Sequence, residues 1–173
     1  MVAPMVAATD GALRAVVLMA APARPGREIS IAQQRQAFER AMPDSTPAAR
    51  EAAFTRNLAV ADSMAATMPW VEFWFAYDPV PTARRVRQPV LILQGETDMQ
   101  ITPEQAGLLA DAMRAAGNRD VTVRTFPATN HLFLADPDGD AGPQGRRYAS
   151  LPSRDVSRAV LGALADWLSI KLR

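Results

Sequence analysis

The sequence predicts an α/β fold built on a small parallel sheet. Three short segments, at residues 14–19, 89–94 and 121–126, predict strands, and the apolar run at 14–19 has the composition of a strand that is covered on both faces. The segments that separate and follow them carry helical periodicity and are bounded by turn residues. Strands that alternate with helices form right-handed crossovers, which bring the strands side by side in parallel. We therefore expect about three parallel strands flanked by helices.

The first segments of the chain predict the end of a helix and then a strand. Residues 1–8 are small and apolar, and no capping residue precedes them, which is typical of the last turns of a helix. Asp10 and Gly11 form a turn signal ahead of the strand at 14–19. An alanine- and proline-rich stretch at 20–26 should end that strand.

Residues 26–82 differ from the rest in their hydrophobic pattern and predict a helical insertion between the first two strands. Thr46 offers a capping hydroxyl, and Pro47 follows at the first helical position. The helix that begins there should end at Pro69. Residues 78–81, with two prolines after an aspartate, predict a turn.

The remaining segments continue the alternation of strand and helix. After the strand at 89–94, Thr102 and the proline behind it predict a helix start with a capping box, and Gly117 predicts its end. The strand at 121–126 follows. Ser153 should cap a last helix after a polar loop. The buried stripe of that helix is predicted to contain Val156, Val160, Leu161, Leu164, Trp167 and Leu168.

Composition excludes several classes of function. The 173 residues carry a formal net charge of +1, so we expect neither a nucleic-acid partner nor an anionic membrane partner. No apolar run approaches the length of a membrane span, and residues 1–10 lack the basic start of a signal peptide. The absence of cysteine excludes disulfides and a cysteine nucleophile. It also fits a reducing compartment, and we expect a cytoplasmic location.

Two residues at strand ends carry the strongest chemical signal. Asp98 follows the strand at 89–94, and His131, the only histidine, follows the strand at 121–126. The carboxyl ends of neighbouring parallel strands lie about 4.8 Å apart, so their loops can bring an acid and a base together. A carboxylate that holds a histidine is the second half of a Ser–His–Asp relay. The alternative is an aspartate in a surface turn and a histidine with local partners.

These loops resemble those of the α/β-hydrolase superfamily. The segment QGETD at 94–98, with ITP at 101–103, resembles the acid loop of that superfamily, and TNHLF at 129–133 resembles its histidine loop. Residues 1–8 and the strand at 14–19 resemble the helix after the nucleophile elbow and the next strand. The chain is most similar to esterases of the dienelactone-hydrolase branch and to the serine-peptidase-like branch.

The resemblance implies the carboxyl-terminal half of an α/β-hydrolase fold in one partial domain. The core would comprise residues 1–25 and 83–173, and the insertion at 26–82 would be a lid. Asp98 would be the relay acid and His131 the general base. The implied reaction is hydrolysis of a small-molecule carboxylic ester through an acyl-enzyme, without a cofactor or a metal ion.

One element of the superfamily pattern is missing from the sequence. The nucleophile elbow G-x-S-x-G occurs nowhere in the 173 residues, and no serine lies in a predicted strand-to-helix elbow. We therefore expect a truncated or inactive form of a serine hydrolase. The alternatives are a non-catalytic module that binds or associates, or a peptidase or thioesterase of the same fold. The strand at 14–19 would lack a neighbour and invite self-association.

The insertion offers candidate substrate-binding residues. Five aromatic side chains crowd into eight positions, and as part of a lid they could line an acyl pocket or simply pack the lid onto the core. We take as candidates Trp70, Trp74, Phe75 and Tyr77.

Two acidic features have simpler interpretations. Residues 136–140 alternate carboxylates in the manner of a calcium loop, but the downstream glutamate is absent, which favours a solvated turn. Asp78 is a candidate second acid near the site, although its place before Pro79 favours a turn residue.

Overall fold

A computed structural model describes residues 2–142 and 148–173. A 3-10 turn at Tyr148–Ser150 precedes the last helix. The helices and strands follow in the order α1 (Val2–Ala7), β1 (Val16–Met19), α2 (Gly26–Ala41), α3 (Pro47–Ala65), α4 (Pro69–Ala76), α5 (Pro79–Ala83), β2 (Val90–Gly95), α6 (Glu104–Ala115), β3 (Val121–Phe126) and α7 (Arg158–Lys171).

The three strands form one parallel sheet in the order β1-β2-β3. Val16 lies opposite Val90, which in turn lies opposite Val121. The central strand β2 is buried along its whole length. The predicted architecture of three parallel strands flanked by helices is confirmed.

Side chains of β2 alternate between two cores, because successive residues of a strand point to opposite faces. Val90 and Ile92 pack against α6 and the small helices α1 and α5. Leu91 and Leu93 pack on the other face, against Val160 and Trp167 of α7. The sheet therefore has helices on both faces, which explains why β1 and most of β2 are apolar runs without polar alternation.

Helices α2, α3 and α4 lie between β1 and β2 in the sequence and pack mainly on one another. Two exposed ion pairs join α2 to α3, Arg27–Asp62 at 2.9 Å and Arg35–Glu51 at 2.8 Å. Helix α5 behaves differently, because it packs against α1 and α6 and its Ala83 is fully buried.

The predicted helix starts were right in one case and wrong in two. Thr46 caps α3, since its hydroxyl accepts from the backbone N–H of Ala49. The side chain of Thr102 bonds to Glu104 and Gln105 side chains instead, and α6 begins at Glu104 without a side-chain cap. The Ser153 hydroxyl bonds within its own turn, and α7 begins five residues later.

Two further local predictions need correction. Residues 78–81 form the start of α5 rather than an open turn, and the Asp78 side chain caps this helix by accepting from the N–H of Val80. The buried stripe of α7 excludes Leu161, which is 50% exposed, and Val156 lies before the helix.

Within the two described ranges, we find no helix with the length and apolar character needed to cross a membrane.

Candidate functional site

Asp98 and His131 meet at the carboxyl edge of the sheet. Asp98 lies three residues beyond the end of β2, and His131 lies five residues beyond the end of β3. His131 Nδ1 is 2.9 Å from Asp98 Oδ2. The Asp98 side chain is 0% exposed and that of His131 is 28% exposed. The pair is therefore anchored on its acid side and open to solvent on its histidine side.

Three other donors hold the Asp98 carboxylate in a single orientation. Its Oδ1 accepts from the backbone N–H groups of Gln100 at 2.8 Å and Ile101 at 2.9 Å. Its Oδ2 accepts from Gln94 Nε2 at 3.1 Å, beside His131. An ionised carboxylate in this position accepts the Nδ1–H of the imidazole, which leaves Nε2 free to accept a proton.

Gln94 is a site residue to which the sequence analysis assigned no role. It is the penultimate residue of β2, is fully buried, and its Nε2 also donates to Ile101 O at 2.9 Å. These bonds tie the beginning and the end of the acid loop together. A polar residue that ends an otherwise apolar strand was the available signal, because a buried amide requires hydrogen-bond partners.

The histidine loop is held by its own buried amide. Asn130 Oδ1 accepts from the backbone N–H groups of Leu132 at 3.0 Å and Leu134 at 3.1 Å. Ala128 and Phe133 adopt positive φ angles of 51° and 60°, which costs conformational energy in residues other than glycine. The turn that presents His131 is thus specified by hydrogen bonds that offset this local strain.

Tyr148 is a second neighbour of the acid loop that sequence reasoning missed. Its hydroxyl accepts a hydrogen bond from Gln100 Nε2. Burial raises the pKa of Tyr148, and the negative charge of Asp98 raises it further, while the bond from Gln100 opposes the shift. Tyr148 follows β3 by more than twenty residues, so nothing in the sequence pattern connected it to Asp98.

We expect Asp98→Asn to lower the pKa of Tyr148, because it removes a negative charge that disfavours the phenolate. The near-ultraviolet absorbance of tyrosinate reports this titration, and a Tyr77→Phe background isolates Tyr148, since the chain has two tyrosines.

The raised pKa means that the phenol of Tyr148 stabilises the fold below the unfolded value of about 10. That contribution is lost as the pH rises through the folded pKa. An unchanged or higher pKa in Asp98→Asn would contradict the assignment.

Within the described residues, the contacts given for the aromatic candidates are with the insertion itself and not with Asp98 or His131. Trp70 is 68% exposed on α4. Trp74 lies directly over Gly26, where a Cβ atom would be 2.3 Å from the indole ring. Phe75 tilts against Trp74, and Tyr77 stacks on Phe73, the fifth aromatic of the cluster. Packing within the insertion accounts for Trp74, and the substrate-binding role of the four candidates remains a prediction.

The acidic loop at 136–140 is partly internal. Asp136 is fully buried and its Oδ2 accepts from the backbone N–H of Ala141 at 2.9 Å. Asp140 forms an ion pair with Arg40 of α2 at 3.1 Å. Across residues 2–142 and 148–173, no cluster of three or more acidic or histidine side chains is arranged to hold a metal ion.

The fold has counterparts among solved structures. An esterase from Pyrococcus furiosus aligns with 99% of this chain and 50% of its own, at 11% identity and a TM-score of 0.51. A candidate non-heme bromoperoxidase from Mycobacterium tuberculosis H37Rv aligns over 95% of this chain and 60% of its own, at 17% identity and a TM-score of 0.50. At these identities the likeness shows the fold alone. The chain spans between half and three fifths of the length of these proteins.

A sequence family provides the closer assignment. No curated protein matches the chain. The profile of the prolyl oligopeptidase family matches residues 32–142, which is well over half of the chain and includes both Asp98 and His131. The α/β-hydrolase resemblance is thereby confirmed, and the chain belongs to the prolyl oligopeptidase family, within the α/β-hydrolase superfamily.

Proposed function

We propose that this chain supplies the acid and the base of a serine hydrolase that acts on carboxylic esters. The observation that carries the proposal is the contact of 2.9 Å between His131 Nδ1 and a fully buried Asp98. Burial and three further donors hold the carboxylate in place, so it can fix the histidine tautomer. Membership of a hydrolase family supports the same reaction class.

The roles follow from the two ring nitrogens of His131. Nε2 takes the proton of a serine hydroxyl as that oxygen attacks the ester carbonyl, and later gives it to the departing alcohol. Asp98 stabilises the imidazolium that exists between these steps. Water then attacks the acyl-enzyme, again with Nε2 as the base, which releases the acid and restores the serine.

The serine is the participant that these 173 residues do not supply, since no G-x-S-x-G motif occurs among them. We place it in a polypeptide segment outside this sequence. The 173-residue chain by itself is then a truncated form without covalent catalysis. Trp70, Trp74, Phe75 and Tyr77 remain candidates to contact the acyl group, with α2–α4 as a lid. The exposed indole of Trp70 supports this assignment.

The test compares the 173-residue chain with the longest open reading frame that contains it. We expect the longer protein to hydrolyse p-nitrophenyl acetate and to react with a fluorophosphonate probe, and the shorter chain to do neither. His131→Ala in the longer protein should lower kcat/KM by roughly 10³-fold or more. Hydrolysis that is unchanged in His131→Ala would refute the assigned base. Stoichiometric serine labelling of the short chain would refute the external serine.

The family assignment favours one second candidate, hydrolysis of a peptide bond. Both reactions use the same acid–base pair, so the site geometry is common to them. Comparison of kcat/KM for p-nitrophenyl esters and for peptide p-nitroanilides in the longer protein separates the two. A protein that contains the serine, binds either substrate and turns over neither would instead support the non-catalytic binding module.

The free edge of β1 leads to a separate prediction about association. Within the described residues β1 pairs with β2 on one side only, and Met19 at its end is 44% exposed. An apolar edge strand with unpaired N–H and C=O groups recruits another strand. We therefore propose that the 173-residue chain self-associates through residues 14–19. A sharp monomer peak in size-exclusion chromatography at tens of micromolar, with cooperative melting, would contradict this.

A further inference from the structure

Helix α2 of the insertion reaches the acid loop through one side chain. Gln33 Nε2 donates a hydrogen bond of 3.0 Å to the backbone C=O of Gln100. The peptide group that contains this C=O also contains the N–H of Ile101, which donates to Asp98 Oδ1 at 2.9 Å. Two hydrogen bonds therefore run through a single peptide group, from the insertion to the buried carboxylate.

Bonds arranged in this way strengthen each other. A peptide C=O that accepts a hydrogen bond is polarised, and the N–H of the same peptide becomes a better donor, by about 10–30% in condensed phases. The effect falls on Oδ1, which also accepts from the N–H of Gln100 at 2.8 Å. Firmer capture of Oδ1 leaves Oδ2 oriented toward His131.

The contact is not a by-product of close packing. A cavity of about 270 Å³ lies between α2 and the acid loop, and Gln33 and Gln100 both line it. Beside this pocket Gln33 forms a polar bridge from α2 to the acid loop. A shift of α2 away from the sheet would break the bridge without disturbing either core of the sheet.

We propose that Gln33 is a positioning residue that couples the insertion to Asp98, and through Asp98 to the orientation of His131. When α2 is docked, the peptide between residues 100 and 101 holds Oδ1 most firmly. When α2 moves away, the carboxylate loses part of this support, and the Asp98–His131 bond becomes weaker. The catalytic consequence rests on the proposed function, but the coupling itself does not.

The coupling can be measured in the 173-residue chain, because His131 is its only histidine and gives unambiguous imidazole NMR signals. Gln33→Met keeps the length and neutrality of the side chain but removes the donor. We expect the Nδ1–H of His131 to exchange with solvent roughly 1.2-fold to 1.7-fold faster, the change that corresponds to losing 10–30% of one neutral hydrogen bond. The ring ¹⁵N shifts should move in parallel toward a mixture of tautomers.

Two variants serve as controls. Gln36→Met changes the same residue type on the same helix, and Gln36 lines the same cavity but makes no hydrogen bond to the acid loop within the described ranges. It should behave as wild type. Gln33→Lys keeps an N–H donor and should restore slow exchange. Equal exchange rates in Gln33→Met and Gln36→Met, with both variants folded by circular dichroism, would overturn the proposal.

The longer, serine-containing protein separates this inference from the proposed function. There Gln33→Met should lower kcat by roughly the same factor as it speeds exchange, less than about twofold, and leave KM nearly unchanged, since Gln33 acts on the acid and not on the substrate. Normal exchange in Gln33→Met together with His131-dependent hydrolysis would contradict the coupling and leave the proposed function standing. Fast exchange together with His131-independent hydrolysis would contradict the proposed function and support the coupling.

Discussion

Asp98→Asn is expected to reverse the tautomer of His131 and to lower the free energy of unfolding by about 1–3 kcal/mol. The amide must keep its oxygen toward the backbone N–H groups of Gln100 and Ile101, which otherwise lose their acceptor. Its NH₂ group then occupies the position of Oδ2. There it faces the side-chain donor of Gln94 and the ring of His131.

A donor in that position changes the chemistry of the histidine. His131 can pair with it only by accepting at Nδ1, so the ring proton moves to Nε2, where a base must be free. In the serine-containing protein we expect a loss in kcat of roughly 10⁴-fold. In the 173-residue chain the ¹⁵N shifts of the single histidine report the tautomer directly, and urea titration reports the stability.

Asp78→Asn is the matched control for this substitution. Asp78 is exposed and caps α5 by accepting from the N–H of Val80. Asparagine caps a helix about as well as aspartate does, so the free energy of unfolding should change by only about a few tenths of a kcal/mol. Retention of the wild-type His131 tautomer in Asp98→Asn would show that Asp98 does not set it.

Gly95→Ala should displace the histidine loop and destabilise the fold by about 3 kcal/mol or more, at the upper end of the cost of overpacking. A Cβ atom at residue 95 would lie 2.2 Å from the carbonyl oxygen of Thr129 and 2.8 Å from that of Asn130. Both are backbone atoms, so neither can rotate away. Relief requires that the loop preceding His131 move, which lengthens the contact between His131 and Asp98.

Gly107→Ala is the control, because the same change is expected to have the opposite sign. Gly107 is the fourth residue of α6, is exposed, and a Cβ atom there would meet nothing within 4 Å. Alanine in a helix interior is favoured over glycine by about 0.5–1 kcal/mol. Thermal melts and His131 spectra of the two variants make the comparison. Equal stability of Gly95→Ala and Gly107→Ala would contradict the close approach at Gly95.

The local predictions from sequence succeeded where one physical requirement dominates. The strands β1 and β2 are covered on both faces, so their residues must be apolar, and the runs were unambiguous. Gly117 ends α6 because it adopts a φ of 95°, which glycine tolerates best. Thr46 caps α3, since its hydroxyl accepts from the backbone N–H of Ala49.

Predictions failed where several partners compete for one side chain. Thr102 lies at the start of α6, but its hydroxyl bonds to the side chains of Glu104 and Gln105. Ser153 bonds to Asp155, which leaves α7 to begin at Arg158 without a side-chain cap. A capping signal in a sequence indicates a possible hydrogen bond between a side chain and the backbone. Whether that bond forms depends on whether another partner lies closer to the side chain in the folded protein.

The sequence by itself determined the parallel α/β fold and the placement of Asp98 and His131 at the same edge of the sheet. Strands that alternate with helices must run parallel, so the loops after two neighbouring strands lie at one edge. Only the tertiary structure showed that Gln33, Gln94 and Tyr148 surround the acid loop. The contacts of Gln33 and Tyr148 join segments far apart in the chain, and hydrogen bonds between distant segments depend on how the helices pack rather than on local pattern.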